Sequence, residues 1–488
     1  MAQFVPVDSF DLVIFGGTGD LAQRKLLPAL FHRDSDGQFP EGSRIIAASR
    51  GELSNEAFID LVRKALETYL TEEALSDEVW ARFSARLSYV TLDITTPAGW
   101  SDLADTLNQH NDRCRVFYLA TIPSLFGETA RQLSECGVVN ERARIVLEKP
   151  VGSDRDSARE INDAVGQYFS ERQIYRIDHY LGKETVQNLS ALRFANSLLE
   201  PLWNRTHIDH VQITVSEHIG TGNRAQFYNR TGALRDMVQN HILQLLCLVA
   251  MEPPLSMHHD DIRNEKIKVL KALRPVTPST VKRATARGQY VAGAIDGEAV
   301  PGYAEELGEE SDRETFVAIR ADIDNWRWNG TPFYLRTGKR LPVKASEIVI
   351  QFRAVAHSIF PQGSGELEPN RLIIRLQPNE GMKLTMVTKE PGPGGFQLRS
   401  LPLNLSFSEA YQLRYPDAYE RLLMEVLRGN PALFMRRDEV DAAWAWIDQI
   451  IDSWDAEKVP SQPYSAGTWG PTASAVLLDR DDRAWYQE

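Results

Sequence analysis

Nine consecutive residues, Arg176-Ile177-Asp178-His179-Tyr180-Leu181-Gly182-Lys183-Glu184, bring two cations, two acids, an imidazole and a phenol to one point of the chain. Such density makes poor core and an unusual surface, and it follows an apolar run at 173–177 that reads as a strand. If the chain turns helical after Asp178, His179 and Lys183 stand four apart on one face, where an imidazole beside an ammonium can grip a phosphate. A second stretch, Gly16-Gly17-Thr18-Gly19-Asp20-Leu21-Ala22, closes the first apolar run. Glycines let a backbone turn tightly and approach a pyrophosphate, and the free N–H groups of a helix starting there face its charge. Gly16, Gly19 and Ala22 give GxxGxxA in place of GxGxxG, so the signal rests on its place between strand and helix. Arg50 ends the second run, where an acid would bond the ribose 2′-OH of NAD. A guanidinium there pairs bidentately with a 2′-phosphate, which points to NADP. Its distance from Gly16 exceeds the usual ~20 residues, as a longer first crossover would make it. The fifth run leads into Glu148-Lys149-Pro150, a candidate cis proline that puts Lys149 over the same crevice.

These stretches need a scaffold that gathers strand ends. Apolar runs at 11–15, 44–48, 88–92, 115–119, 144–148 and 173–177 alternate with helix-period segments at 20–32, 55–69, 124–136 and 154–169. Strands and helices in alternation specify a doubly wound parallel sheet, buried on both faces, with its ligand beyond the strands' carboxyl ends. After about residue 180 the rhythm changes to a helix at 185–197, a strand at 211–217 and an apolar helix at 233–251. Strands follow at 315–323, 332–336, 347–352, 371–376 and 383–387, with helices at 417–428 and 437–454. Segments 361–370 and 391–395 read as exposed loops. The expected fold is an α/β Rossmann dinucleotide-binding domain over 1–178 and a larger α+β domain with a mainly antiparallel sheet over 179–488.

Composition narrows the function classes. The 488 residues carry 54 Lys+Arg against 67 Asp+Glu, a net charge of −13, with 43% hydrophobic residues, as an ordinary globular chain does. The acidic balance argues against nucleic-acid or anionic-membrane binding, and any anionic ligand requires local positive charge. The longest apolar run, 245–251, falls far short of the ~20 residues a membrane span needs. The N-terminal ten residues show no export signal, and Cys114, Cys136 and Cys247 lack CxxC spacing, as expected of buried thiols in a reducing cytoplasm. His258-His259-Asp260-Asp261 follows Pro253-Pro254 and reads as an exposed loop, so no metal is expected. Glu217 continues the period-two face of Val211, Ile213 and Val215, either a strand end breaking into solvent or a ligand holder. Lys339 and Lys344 flank Pro342, a solvated edge pair or an anion site. His241 sits on an otherwise apolar helix, where a hydrogen-bonded core histidine is the plain expectation.

Taken together, GGTGDLA, EKP and RIDHYLGKE resemble the glucose-6-phosphate dehydrogenase family, its bacterial members most closely. The resemblance continues through RDMVQNH at 235–241, residues 326–344 including PFYLRTGKRLPVK, and segments 417–423 and 467–471. The 176–184 motif is specific to that family, whereas the glycine turn and EKP are shared more widely. The resemblance implies oxidation of β-D-glucose 6-phosphate to 6-phospho-D-glucono-1,5-lactone with NADP, the first step of the oxidative pentose phosphate pathway. It implies His241 as the general base, paired with Asp178. It also implies His179, Tyr180 and Lys183 on the sugar phosphate, Glu217 and Asp236 on sugar hydroxyls, and Lys339, Lys344 and Lys149 completing the substrate pocket. The cofactor would lie against Gly16, Gly17, Thr18, Gly19, Asp20, Leu21, Arg50 and Lys149, with no metal. A homo-oligomer, dimer or tetramer, built through the second domain's sheet is implied as well. Two rival functions are another NADP-dependent sugar oxidoreductase and a non-catalytic NADP(H)-sensing regulator. Against the first stands the RIDHYLGKE and RTGKR pattern, and against the second the joint presence of Asp178, His179, Lys183 and His241.

Overall fold

The computed structural model describes residues 5–487 other than 72, 73, 394, 408, 410–413 and 415; Gly394, in the loop expected at 391–395, and the first four residues lie outside the described residues. The chain forms two compact units. The first takes Met1–Lys183, Leu255–Arg263 and Tyr415–Asp441, and the second takes Glu184–Pro254, Asn264–Arg414 and Ala442–Glu488.

In the first unit all six expected strands form: β1 (Phe10–Phe15), β2 (Arg44–Ser49), β3 (Leu87–Thr91), β4 (Cys114–Leu119), β5 (Arg144–Leu147) and β6 (Ile174–Ile177). They pair in parallel in the order β6-β5-β4-β1-β2-β3, and a short strand, Phe434–Met435, adds antiparallel to β6. Val13 stands beside Ile46 on one side and Phe117 on the other. Every residue of β1 is buried because helices cover both faces. Leu12 and Ile14 pack with Leu30, Phe58, Val62 and Leu422, while Val13 and Phe15 pack with Leu103, Phe126 and Leu133. Each such side chain contributes about 1.5–3 kcal/mol of burial. The chain leaves β1 for β2 on one side and returns to β4 on the other, so a crevice opens at the carboxyl ends of these two strands.

The helix Ala418–Arg428 belongs to this unit. Asp417 and Glu420 form a capping box at its start, and Gly429 ends it at φ +77°. Arg144, at the start of β5, donates to the last-turn carbonyls of Val426 (2.5 Å) and Leu427 (2.7 Å). Arg144→Ala strands these carbonyls and is expected to destabilise the unit by about 2 kcal/mol. A lower urea midpoint than wild type by circular dichroism checks this; an unchanged midpoint would show that water replaces the guanidinium.

The second unit is built on a nine-stranded sheet. In chain order its strands are β7 (Ile208–Ser216), β8 (Thr285–Val291), β11 (Phe316–Ala321), β12 (Phe333–Gly338), β13 (Ala345–Phe352), β14 (Arg371–Gln377), β15 (Gly381–Lys389), β16 (Leu398–Ser406) and Gln462–Ser465; β9 (Gly293–Ile295) and β10 (Glu298–Val300) form a separate hairpin. The order is β16-β15-β14-β13-β7-β12-β11-β8 followed by Gln462–Ser465. Pairing is antiparallel except between β7 and β12 and between β8 and the last strand. The expected α+β class with a mainly antiparallel sheet is therefore the one observed.

Three local expectations need correction. The helices expected at 20–32 and 233–251 contain π-helical stretches, Ala22–Leu26 and Leu234–Ile242, before continuing as Leu27–Ser35 and Leu243–Ala250. Such windings are rare and concentrate at functional sites. The run at 258–261 is not an exposed loop. His259, Asp260 and Asp261 open the helix His259–Lys271, and His259 is half-buried. Two prolines upstream masked that helix start, although Asp260 and Asp261 in its first turn suit the positive end of the helix dipole. Strands β8 and β16 went unread, the first for its Arg, Gly and Gln, the second for Pro402, which an outermost strand tolerates.

Candidate functional site

In the first unit the glycine turn follows β1 directly. Gly16 has φ +80°, and a Cβ on it would lie 2.7 Å from the Ala120 carbonyl oxygen. A Cβ on Gly17 would meet Ala47 Cβ at 2.5 Å, so neither position accepts a side chain. The Gly16 N–H donates to Ala48 O (2.8 Å), and that of Gly19 to Gly16 O (2.9 Å). Thr18 Oγ1 donates to Ser49 Oγ at 3.2 Å, tying the turn to the end of β2. Gln23 Nε2 donates to Thr18 O at 2.7 Å and braces it from the helix side. Gly19 and Asp20 are exposed and Leu21 half-buried where the helix begins. Arg50 follows Ser49, is exposed, and among the described residues makes no hydrogen bond or ion pair. The bare glycine cradle and an uncommitted guanidinium at the next strand end fit a dinucleotide bearing a 2′-phosphate.

Lys149-Pro150 is cis, as the sequence suggested. Glu148 is buried beneath it and accepts the Tyr118 hydroxyl (2.5 Å) and the Lys149 N–H (3.2 Å). Burial pushes the Glu148 carboxyl up, and burial plus that neighbouring carboxylate pushes the Tyr118 phenol well up. The Tyr419 hydroxyl also bonds Glu148, and its phenol is raised by burial and then by this carboxylate. The Tyr419 ring lies nearly parallel to His179, with centroids 6.2 Å apart. A chain of contacts thus runs from the Lys149 backbone through Glu148 and Tyr419 to His179.

Beyond β6 the backbone makes three successive i→i+3 turns: Leu181 N to Asp178 O, Gly182 N to His179 O and Lys183 N to Tyr180 O. This is tighter than the α-turn that would pair His179 with Lys183. Instead Lys183 Nζ stands 4.2 Å from the Tyr180 ring centroid. Asp178 is fully buried and accepts the Tyr180 N–H at 2.9 Å. Gly182 permits the tight path, since a Cβ there would come within 2.6 Å of Ala418 O. Lys149, Asp178, His179, Tyr180 and Lys183 therefore share the carboxyl edge of β5 and β6, on the same sheet as the glycine turn.

The second unit gathers the other candidates. Glu217 and Lys339 lie just beyond the adjacent parallel strands β7 and β12, so their backbones run side by side, with Glu217 N donating to Gly338 O at 3.0 Å. Lys339 is 8% exposed and its Nζ meets Glu217 Oε2 at 2.7 Å. The same ammonium sits 4.9 Å from the Tyr228 ring centroid. Burial, then Asp236 and Glu217, raise the Tyr228 phenol well above its ordinary value. Asp236 is half-buried and His241 fully buried on the Leu234–Ile242 helix. Lys344 is exposed in the turn between β12 and β13, so the two lysines differ: one is buried and paired, the other open to solvent. Tyr228, Tyr419 and Glu148 were not singled out from the sequence, because an isolated tyrosine or a glutamate at a strand end carries no spacing signal.

Beside this group Glu306 fixes the loop after Glu217. It accepts from Thr221 N, Thr221 Oγ1 and Gly222 N (each 2.8 Å), from the Tyr290 hydroxyl (2.7 Å) and from Arg340 (2.6 Å). Burial alone would raise its carboxyl, but the hydrogen bonds from Tyr290, Arg340, Gly222 and Thr221 outweigh this and hold it down to about 2, from 4.5. A depressed folded-state pKa adds stability that is complete above the unfolded value and is lost as pH falls through the folded one. Wild type is thus expected to lose this increment between pH 4.5 and about 2. Glu306→Gln should lack it at neutral pH and show a shallower acid dependence of its urea midpoint; parallel curves would contradict the assignment.

A glycine cradle for pyrophosphate at the switch of a parallel sheet, with a guanidinium at the next strand end, in a chain that also buries a histidine, defines the class as an NADP-dependent oxidoreductase. Known proteins carry the identification further. The family model described as glucose-6-phosphate dehydrogenase, NAD binding domain, matches residues 13–188, and that described as glucose-6-phosphate dehydrogenase, C-terminal domain, matches 190–486. The glucose-6-phosphate 1-dehydrogenase of Rhizobium meliloti is 56% identical over 485 residues, covering 99% of each chain. That of Mycolicibacterium smegmatis is 52% identical over 487 residues, covering 99% of this chain and 98% of its own. A solved glucose-6-phosphate dehydrogenase, in complex with its substrate glucose-6-phosphate, superposes with a TM-score of 0.90 at 33% identity, covering 99% of this chain and 100% of that one. The chain belongs to the glucose-6-phosphate dehydrogenase family.

Proposed function

We propose that this chain oxidises β-D-glucose 6-phosphate at C1 to 6-phospho-D-glucono-1,5-lactone, with NADP as the oxidant, and so opens the oxidative pentose phosphate pathway. The observation that carries this reading is the Asp178–Lys183 turn at the end of β6, a phosphate-gripping group on the same sheet edge as the glycine cradle. His179, Tyr180 and Lys183 hold the sugar phosphate, and Lys149, Lys339 and Lys344 supply the rest of the local positive charge that a chain of net −13 needs for a dianion. Glu217 and Asp236 bind sugar hydroxyls. His241 takes the C1 hydroxyl proton as the C1–H bond breaks and the carbonyl forms, and Asp178 orients the imidazole and stabilises its charged form. When bound, NADP supplies the acceptor for the departing hydride. Gly16, Gly17, Thr18, Gly19, Asp20 and Leu21 receive its pyrophosphate and Arg50 its 2′-phosphate.

Residues 1–178 act as the NADP-binding domain and 179–488 as the substrate-binding and oligomerisation domain. A homo-oligomer, dimer or tetramer, is supported by strand β16 at the sheet edge, where Leu401, Leu403 and Leu405 form an exposed apolar row at period two. A cytoplasmic setting is supported by free cysteines, Cys114 and Cys247 buried and Cys136 half-buried, and by the fact that no helix among the described residues is long and apolar enough to cross a membrane.

The test follows NADPH absorbance with glucose 6-phosphate. Wild type is expected to turn over, and His241→Asn to lose about 10²–10⁴-fold in kcat, with little change in sugar-phosphate binding. A folded wild type that binds NADPH but oxidises no glucose 6-phosphate overturns the substrate assignment. Arg50→Ala is expected to raise the KM for NADP about 10- to 100-fold, as loss of a charged hydrogen-bonding partner does, while leaving that for NAD nearly unchanged. Equal effects on both cofactors would remove Arg50 from 2′-phosphate recognition.

A further inference from the structure

We propose that Glu314 is a positioning residue for the helix that carries Asp236 and His241, a role that rests on the functional reading above. The helices Ala225–Ala233 and Leu234–Ile242 meet at a kink, where Gly232 takes φ 74° and ψ 170°. Such a break leaves backbone N–H groups at the second helix's start without intrahelical acceptors. Glu314, only 1% exposed, supplies two. Its Oε1 accepts the Leu234 N–H at 3.3 Å, and its backbone carbonyl accepts the Ala233 N–H at 3.0 Å. The fit is close, since a Cβ on Gly232 would stand 2.2 Å from Glu314 Oε1. The other carboxylate oxygen lies 3.7 Å from both Arg287 and Arg313, so the buried charge is balanced.

The strap at 311–315 reaches further on both sides. Upstream of the kink, Ser311 Oγ donates to Asn229 Oδ1 (2.6 Å) and Arg313 Nε to Asn229 O (2.8 Å), fixing the helix that bears Tyr228. Downstream, Thr315 O accepts the Lys339 N–H (3.0 Å), and the Tyr464 hydroxyl, 3.3 Å from Thr315 Oγ1, donates to Lys339 O (2.6 Å). One strap therefore ties Tyr228, the Asp236–His241 helix and Lys339 together.

The far end of the helix is fixed differently. Arg193 donates to Leu248 O and Met251 O, Trp203 to Val249 O and Trp328 to Ala250 O, all between 2.8 and 2.9 Å. Four carbonyls are held there by three side chains. At the near end the Glu314 carboxylate accepts at Leu234, two residues before Asp236, so its removal is expected to act at the site before the rest of the helix.

The test compares Glu314→Gln and Glu314→Ala in the full chain. Both remove the charge, but only the glutamine keeps an oxygen for Leu234 N–H. With both variants folded by circular dichroism, Glu314→Ala is expected to lose about 10- to 100-fold in kcat/KM for glucose 6-phosphate, since small displacements of reacting groups cost that much. Its KM for NADP should stay within about twofold of wild type, and Glu314→Gln should recover most of the loss. Gly232→Ala, which forces the carboxylate away, should reproduce the Glu314→Ala split. Hydrogen exchange over 234–250 gives a readout independent of turnover: 234–242 should exchange faster in Glu314→Ala than in wild type or Glu314→Gln, while 243–250 stays protected. Wild-type kcat/KM in Glu314→Ala, or unchanged exchange over 234–242, overturns the proposal. So does a loss equal in both Glu314 variants and matched to the unfolded fraction. A wild type inactive on glucose 6-phosphate sinks the substrate reading instead, and the exchange comparison still decides the helix anchor.

Discussion

A helix that is buried on nearly every side can present a histidine only if the polar groups at its ends find partners inside the protein. This constraint shapes the second unit. Apart from half-buried Arg235 and Asp236, every residue of Leu234–Ala250 is buried, so the polar groups near its ends need partners within the protein. Two tryptophans and a buried arginine answer its last carbonyls, and a glutamate balanced by two arginines answers its first N–H groups. Buried polar groups left unsatisfied cost about 1–3 kcal/mol each, so the arrangement tolerates few alternatives. The strap that anchors the helix's start also holds the helix bearing Tyr228 and the backbone of Lys339, so fixing one element fixes the others.

Charge follows the same economy. Excess negative charge over the whole chain would repel a phosphate, yet the candidate binding groups are cations set against single acids or aromatic faces. Lys339 faces Glu217 and Tyr228, and Lys183 faces Tyr180. An ammonium held in this way keeps its position without a ligand and loses little by exchanging a ring face for a phosphate oxygen. Arg50 is the contrast: exposed and uncommitted, it lets the turn at Gly16–Gly19 owe its shape to glycine geometry and Ser49 rather than to the guanidinium.

Much of the first unit was legible because parallel strands buried on both faces write continuous apolar runs, and all six appeared where the sequence placed them. The Asp178–Lys183 turn was legible for another reason: its polar density fits neither core nor ordinary surface. Strand β8 was not, because its polar residues are satisfied by distant main chain. Arg287 donates to Val459 O and Asp312 O, and Gln289 to Ser311 O and Arg313 O. The π-helical windings leave no trace in hydrophobic period, since one extra residue per turn is absorbed over a few positions. Glu314 was invisible because its partner lies 80 positions earlier in the chain.

The first unit is not contiguous. Its parallel sheet is encoded within the first 183 residues, but the helix over Leu422 and the strand pairing with β6 come from 415–441. During synthesis at about 5–20 residues per second, the roughly 260 residues from 184 to 441 take on the order of tens of seconds to emerge. Until those residues emerge, the native cover of the β6 edge and of the apolar face near Tyr118 and Tyr175 cannot form. The unit that carries the glycine turn is thus translated first and completed late. Its nascent form offers an open strand edge and a bare apolar face, the surfaces that chaperones recognise and that a fragment ending at residue 183 would expose permanently.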